Sequence, residues 1–373
     1  KIERPGAGDD SRAFGPPWVK DRDGKNTGDS AYFTSANRGK KSVTVNIAIA
    51  EGQGLVRELA RVSDVLIENY KYGDLKRYGL GYDEARELNP RLVYCSVTGF
   101  GHTGPFRQRP GYDFMIQGMG GMMSVTGEPD GAPGGGPQRA GVPIADIITG
   151  MYASIAICAA LANCERTGEG QHLDLALLDS QIALLAYQNT NYFATGVPPA
   201  RIGNLHPNIV PYQPFRASDG EVILACGNDN LYGKFCEAAG CPELARDPRF
   251  ATNGKRVENR TELTRLLSEV FKKRSKKEWL GLLEAAGVPN GPINDVAQVF
   301  EEPQVKARGV RIELEHAAAG RLPLVASPMR FSGTPIEYRL APPLLGEHTS
   351  EVLRRLLGKN DAEIERLRAA GVI

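Results

Sequence analysis

The sequence predicts an α/β protein: a Rossmann-like large domain built from the N- and C-terminal parts of the chain, with a smaller α+β domain between them. Three observations lead there. Strand and helix patterns alternate between residues 42 and 97 at the spacing of β-α-β units, which implies a parallel sheet. The stretch Gly168 to Asp179 adds a strand that hands over directly to a helix. From Pro211 the composition shifts toward amphipathic helices.

Taken in order, Lys1-Ile2-Glu3-Arg4-Pro5-Gly6 reads as a strand end running into a turn. A domain rarely opens that way, so residues upstream of Lys1 are expected. To about residue 40 the chain is rich in Gly, Pro and charge and reads as loop. Ser42 to Ile47 alternates as a strand, Ala50 to Ser63 has helical spacing at Leu55, Leu59 and Val62, and Asp64 to Asn69 is the next strand. Gly81 to Leu88 reads as a helix and Leu92 to Val97 as a strand.

The run Met119-Gly120-Gly121-Met122-Met123 reads as close backbone packing. Gly134-Gly135-Gly136 has no strand before it and is no dinucleotide fingerprint. Asp146 to Cys164 is a long apolar helix with small residues, expected to be buried. Leu173, Leu175 and Leu177 then alternate with His172, Asp174 and Ala176, the period of a half-buried strand. Asp179 closes it, and Ser180 to Tyr187 opens a helix. Beyond Pro211 come a strand at Glu221 to Cys226 and helices near 231–239, 260–272 and 276–286. Ser327 to Gly333 returns to the first domain, and Asp361 to Ala370 is a polar terminal helix. The expected domains are therefore 1–200, 211–312 and, as the return, 325–373, with no internal repeat.

Composition sets bounds on function. At 373 residues the chain can bury a large core. Apolar residues at 41% and charged residues at 24% are ordinary for a globular protein. Lys and Arg number 45 against 44 Asp and Glu, so no global field favours nucleic acid or an anionic membrane. No apolar run approaches the roughly 18 residues of a spanning helix, and no signal-peptide pattern is visible. The six cysteines form no C-x-x-C pair and mostly sit in apolar runs, which points to reduced thiols and a reducing compartment. The five histidines lack metal-ligand spacing.

Asp179 is the residue these patterns single out. A carboxylate where a strand meets a helix is a common place for chemistry in α/β proteins. The structural alternative is a helix cap accepting first-turn amides.

Several stretches together resemble the class III CoA-transferases of the CaiB/BaiF type, the family of formyl-CoA transferase, carnitine CoA-transferase and the succinyl-CoA:dicarboxylate transferases. They are Lys1 to Gly6, Asn37-Arg38-Gly39-Lys40-Lys41-Ser42, Glu68-Asn69-Tyr70, Gly111-Tyr112-Asp113, Gly170 to Asp179, and Pro343-Leu344-Leu345-Gly346-Glu347-His348-Thr349, in the family's order. The resemblance implies that Asp179 is the nucleophile, working through an anhydride and an aspartyl-CoA thioester, with an acyl-CoA as substrate and no permanently bound cofactor or metal.

Carried over residue by residue, the resemblance assigns CoA to Arg4, Val45, Asn69, Tyr70, Lys71 and Arg77, with Thr98 and Gly99 beside the thiol arm. Arg4 and Arg77 suit the phosphates, with Lys40 and Lys41 as assistants or as a solvated face. Tyr112 and Asp113, and Tyr32 less directly, stand near the reacting acyl group, or Tyr112 is a loop tyrosine. Gly203, Asn204 and His206 fall in the segment implied as a mobile loop over the acyl group, where His206 is equally a turn residue. Ala48 replaces a lysine of formyl-CoA transferase, and the glycine run that enzyme carries after its Asp is missing, which speaks against oxalate. Succinyl-CoA is the expected donor and a dicarboxylate such as glutarate, itaconate or mesaconate the expected acceptor, with Arg201 or Arg109 for its distal carboxylate.

The rivals are an acyl-CoA racemase, a formyl-CoA:oxalate transferase and an inactive CoA-binding protein. Racemases that resemble this chain place a His eleven residues after the G-Y-D aspartate, where Ser124 stands and cannot abstract an α-proton. The resemblance further implies an interlocked-ring homodimer with no nucleic-acid or membrane partner, in the cytoplasm or, in a eukaryote, the mitochondrial matrix.

Overall fold

A computed structural model describes all 373 residues. In chain order its elements begin with β1 (Ile2–Glu3), β2 (Trp18–Lys20), β3 (Asn26–Ser30), α1 (Ala31–Ala36), β4 (Val43–Thr44), α2 (Ala50–Arg61), β5 (Val65–Glu68), α3 (Tyr82–Leu88) and β6 (Val93–Thr98). The middle of the chain holds α4 (Asp113–Met119), α5 (Met122–Val125), α6 (Ile144–Thr167), β7 (His172–Ala176), α7 (Leu177–Leu184) and α8 (Tyr187–Thr195). There follow β8 (Tyr212–Arg216), β9 (Glu221–Ala225), α9 (Asp229–Ala239), α10 (Pro242–Arg246), α11 (Asn253–Glu258), α12 (Arg260–Phe271), α13 (Lys276–Ala285) and β10 (Asn290–Pro292). The last are α14 (Val296–Glu301), α15 (Pro303–Ala307), β11 (Arg311–His316), β12 (Gly320–Val325), α16 (Thr349–Leu357) and α17 (Asp361–Ala369).

One unit comprises Lys1–Ile116, Ala145–Ser180 and Val299–Ile373. Its parallel sheet has the order β5-β6-β7, as the strand–helix alternation implies. β1 pairs in parallel with β4, Ile2 opposite Val43 and Glu3 opposite Thr44. The amphipathic α2 turns Leu55, Val56 and Leu59 inward, where they meet Val43, Val45, Leu75 and Leu80. Leu353, Ile364, Leu367 and Val372 from α16, α17 and the C-terminal residues complete that core.

The first 40 residues are less loop-like than their Gly/Pro content suggests, since they hold a β2–β3 hairpin and α1. A buried ion network fastens them. Arg12 spans Glu3 and Asp29, each at 2.8 Å, and donates to the Pro343 carbonyl at 3.2 Å. Glu3 also accepts from Ser42 Oγ at 2.7 Å, and Ser42 Oγ in turn accepts the Gly346 N–H at 2.8 Å.

Two expectations need correction here. The strand of Gly168 to Asp179 ends at Ala176, and Asp179 is the third residue of α7. Apolar alternation runs on to Leu177, but the partner strand does not: Thr98 pairs with Ala176, and the Leu178 N–H then leaves the ladder for the Gly99 carbonyl at 3.1 Å. The second concerns α6. It buries only a stripe of small residues, Ala145, Thr149, Ala153, Ala160 and Cys164. Ile147, Met151 and Ile155 are 47%, 56% and 64% exposed, so the helix is not a buried one. Its mean hydropathy of 1.8 over 18 residues makes it long and apolar enough to cross a membrane, contrary to the reading that no stretch comes near.

The other unit comprises Gln117–Ile144 and Gln181–Gln298. Its antiparallel sheet has the order β10-β9-β8, over a core that includes Phe215, Val222, Leu224, Phe235, Leu267, Phe271 and Trp279. The unit takes in residues 181–200, which sequence patterning assigns to the large domain. Tyr187 stacks on His206 at 5.2 Å, and Asn191 donates to Asn208 at 3.0 Å, so α8 packs on its own downstream loop.

Candidate active site

Asp179 stands exposed in the first turn of α7, and backbone contacts hold that turn in place. Besides the Leu178–Gly99 bond, Ser180 Oγ donates to the Ala176 carbonyl at 3.0 Å. Beneath lies an apolar layer of Ile116, Ala145 and Leu177 with Val97, Phe100 and Leu178. The helices α4, α6 and α7 therefore begin around one packed cluster, and each carries an aspartate in its first turn: Asp113, Asp146 and Asp179.

The turn after β6 is equally constrained. Gly101 N–H donates to Thr98 Oγ1 at 2.8 Å, and His102 N–H reaches both Asp174 carboxylate oxygens at 2.9 and 3.1 Å. Gly99 crosses Gly111 so closely that a Cβ on either would sit within 2.5 Å of the other's Cα. Only two glycines permit that crossing. It delivers Tyr112 and Asp113 next to the Thr98-Gly99 turn.

Tyr112 is 77% exposed, and Asp113 Oδ1 accepts the Ala145 N–H at 2.8 Å, capping α6. Burial of its carboxyl, then the Asp113 charge, push Asp146 up to about 6, although the residue keeps solvent on one side. Tyr32 is raised by burial and by the charges of Asp146 and Asp113, which places it beside this pair. Arg109 lies over Phe106 at 4.6 Å and Phe100 at 5.4 Å and makes no ion pair. Tyr32, Arg109, Tyr112, Asp113, Thr98, Gly99 and Asp179 thus form one connected group.

A second group gathers near the end of β5. Asn69, Tyr70, Lys71 and Arg77 are exposed. Burial raises Tyr70 and the nearby Arg4 charge opposes the rise, so Arg4 and Tyr70 are neighbours. Arg4 also pairs with Asp10 at 2.5 Å, and Arg77 lies 3.5 Å from Asp74 and over Tyr78. Val45 is 1% exposed, and its N–H donates to the Glu3 carbonyl at 2.9 Å. Lys41 pairs with Glu351, and Lys40 donates to Asn37.

Gly203, Asn204 and His206 belong to the other unit. There Gly203 N–H donates to the Gly127 carbonyl at 3.0 Å, and Arg260 donates to the carbonyls of His206 and Pro207 at 3.2 and 2.5 Å. His206 Nδ1 accepts the Asn208 N–H at 3.1 Å, the geometry of a turn residue. The segment is fastened at both ends rather than loose. Arg201 is ion-paired with Asp130, which leaves Arg109 as the unpaired arginine of the two.

Sequence reasoning missed a polar seam on the parallel sheet: Glu68, Ser96, His172, Asp174 and the facing His102. The strand alternation held the signal, because Glu68, Ser96 and Asp174 are in register on one face. No group of His, Cys, Asp and Glu side chains is arranged to hold a metal ion.

Comparison with known proteins gives a consistent set of relatives. Residues 1–349 match the family model described as CoA-transferase family III. The chain is 48% identical to the succinate–glutarate CoA-transferase of Agrobacterium fabrum over 356 residues, covering 95% of this chain and 88% of that one. It is 42% identical to the succinyl-CoA:glutarate CoA-transferase of Homo sapiens over 373 residues, covering 100% and 83%. A crystal structure of a CaiB/BaiF family protein from Brucella suis superposes with a TM-score of 0.81 at 49% identity, covering 95% of this chain and 91% of that one.

Proposed function

The chain belongs to CoA-transferase family III, and we propose that it moves CoA from succinyl-CoA to a dicarboxylate, glutarate before itaconate or mesaconate, through covalent intermediates on Asp179. The observation that carries the reading is an exposed carboxylate in a fixed first turn, tied through Leu178 to the Gly99 carbonyl. A carboxylate forms both an anhydride and a thioester, the two covalent intermediates through which CoA passes from one acid to another.

In this reading an Asp179 carboxylate oxygen attacks the thioester carbonyl of succinyl-CoA. The C–S bond breaks, leaving a succinyl–aspartyl anhydride and CoA thiolate. The thiolate attacks the aspartyl carbonyl and expels succinate, giving the aspartyl-CoA thioester. A carboxylate of the acceptor then attacks that carbonyl and displaces the thiolate, and the thiolate takes the acyl group from the new anhydride and frees Asp179. Arg4, Asn69, Tyr70, Lys71 and Arg77 hold the nucleotide arm, the Val45 backbone adjoins it, and Thr98 and Gly99 flank the thiol. Tyr32, Tyr112 and Asp113 face the acyl group. Arg109, free of ion pairs, receives the distal carboxylate of a dicarboxylate. No cofactor stays bound between turnovers.

The protein acts as an interlocked homodimer in a reducing compartment, the cytoplasm or a mitochondrial matrix, without a nucleic-acid or membrane partner. The apolar exposed side of α6 supports a second copy, and six free cysteines, five of them buried, support the compartment. The deciding experiment is to quench the protein after mixing with succinyl-CoA and weigh the peptide that carries Asp179. A CoA or acyl adduct on that peptide, absent in Asp179→Ala, is expected together with at least a 1,000-fold loss of transfer, on the order seen when a nucleophile is removed. CoA binding with no adduct from any acyl-CoA would reject the mechanism, and preference for monocarboxylic acceptors would reject the substrate class.

A further inference from the structure

Three side chains on one face of the parallel sheet form a hydrogen-bonded chain that the reaction above does not use. Strand register sets Glu68 opposite Ser96, and His172 one pleat back opposite Tyr94. Glu68 Oε2 accepts the Tyr70 N–H at 2.7 Å, and Ser96, opposite it in register, is the neighbouring hydroxyl that favours the charged form of the same carboxylate. Ser96 Oγ in turn lies 3.0 Å from His172 Nε2. Ser96 is fully buried, so water does not compete for it.

Proton counting fixes the direction of the chain. An ionised carboxylate only accepts, so the single hydroxyl proton of Ser96 points to Glu68. Ser96 Oγ is then the acceptor toward His172, whose proton must sit on Nε2. The imidazole is clamped in that orientation by Tyr82, stacked at 5.0 Å, with Tyr94 edge-on at 5.7 Å and His102 at 5.0 Å. Two residues further along β7, Asp174 holds the His102 N–H and with it the turn beyond Thr98.

We propose that Glu68, Ser96 and His172 are positioning residues for CoA: their chain sets the Asn69-Tyr70 turn, with His172 held as the neutral Nε2–H tautomer. This rests on the reading of Asn69 and Tyr70 as CoA contacts. Glu68, Tyr94, Ser96 and Asp174 face His172 from the strands, Tyr82 and Asp83 from α3, and His102 from the loop beyond Thr98, with Tyr72 edge-on to His102. Burial lowers His172 from its ordinary 6.5, with the His102 charge adding to the effect, and burial raises Glu68 from 4.5. Acid adds a proton to each, to His172 below its ordinary value and to Glu68 above its own. Acid weakens Glu68 as an acceptor for the Tyr70 amide and places a cation beside His102, so CoA affinity falls together with the chain.

The test compares His172→Phe, which keeps the stacked ring without a donor, with His172→Gln, which keeps a donor that does not titrate. His172→Phe is expected to raise KM for succinyl-CoA about five- to tenfold, the loss of one buried hydrogen bond, with kcat changed less than about twofold by the same logic. His172→Gln is expected to restore most of the affinity and to show a smaller rise in KM between pH 7 and pH 5 than the wild type. Nitrogen-15 NMR of the histidine-labelled wild type, which needs no variant to fold, is expected to show His172 protonated on Nε2. An Nδ1-protonated His172, or a His172→Phe protein with unchanged KM at both pH values, overturns the proposal. If the wild type binds no CoA by calorimetry, the CoA-transferase reading falls with it. If it binds CoA and forms the Asp179 adduct while His172→Phe is unchanged, only the positioning role falls.

Discussion

His316 shows how much a single buried side chain can decide. It is 3% exposed at the end of β11, and its Nδ1 accepts the N–H groups of Ala318 and Ala319 at 3.3 and 3.0 Å. A protonated ring cannot accept either bond, and burial lowers the pKa below the ordinary 6.5. The folded state therefore binds fewer protons than the unfolded chain. The stability that this neutral ring contributes is fully present above pH 6.5 and is lost as pH falls toward the folded value, by up to about 1.4 kcal/mol per pH unit within that window. Urea midpoints at pH 7.5 and pH 5 are expected to differ more in the wild type than in His316→Asn, whose amide oxygen accepts in place of Nδ1 and does not titrate. At this scale the sequence draws the eye to Asp179 by its place at the end of an alternating strand, and the family resemblance adds Tyr112 and Asp113. Glu68 and Ser96 pass unnoticed, since a Glu closing one strand and a Ser inside another look ordinary until the register places them side by side.

Among the elements, the N-terminal segment explains why several motifs recur together. Glu3, Ser42, Gly346 and Thr349 lie up to 346 positions apart, yet they meet in one clasp: Ser42 bonds Glu3 and Gly346, and Thr349 Oγ1 accepts the Thr44 N–H at 3.0 Å. The stretches that carry the family resemblance at both ends of the chain are thus a structural joint. Arg12 is its centre, with a side chain 6% exposed against Glu3 at 1% and Asp29 at 10%. Arg12→Met leaves two buried carboxylates without their cation, and a loss of about 3–5 kcal/mol is expected, read as a lower denaturant midpoint at unchanged m-value. A change within 1 kcal/mol, on the order of a surface pair, would show that the clasp is not a buried network in solution. The boundary of α7 belongs to the same scale. Alternation alone prolongs the strand, and the Gly99 carbonyl ends it.

For the whole molecule, the informative surface is the outer side of α6. Ile147, Met151 and Ile155 line up at helical spacing, and Tyr152 adds a fourth large exposed side chain. A soluble monomer rarely leaves a contiguous strip of this kind in water. A second copy covering it is the occupant that fits the proposed dimer. Ile155→Asp is expected to shift light-scattering mass from twice the chain mass of 40.4 kDa toward that of one chain. A wild-type protein that is already monomeric at micromolar concentration would refute this, and association with added vesicles would assign the face to lipid instead.

Local pattern was enough to determine the strand–helix alternation and the parallel sheet, because both are written in hydrophobic period and in punctuation by glycine. Tertiary structure alone decided which side chains meet across that framework. The Gly99–Gly111 crossing, the Glu68–Ser96–His172 chain, the Arg12 clasp and the exposure of α6 all join residues distant in sequence, or set neighbouring strands in a register that no local window contains. A hydrogen bond or a close backbone approach is a relation between two positions, and its energy appears only when folding brings both of them to one place.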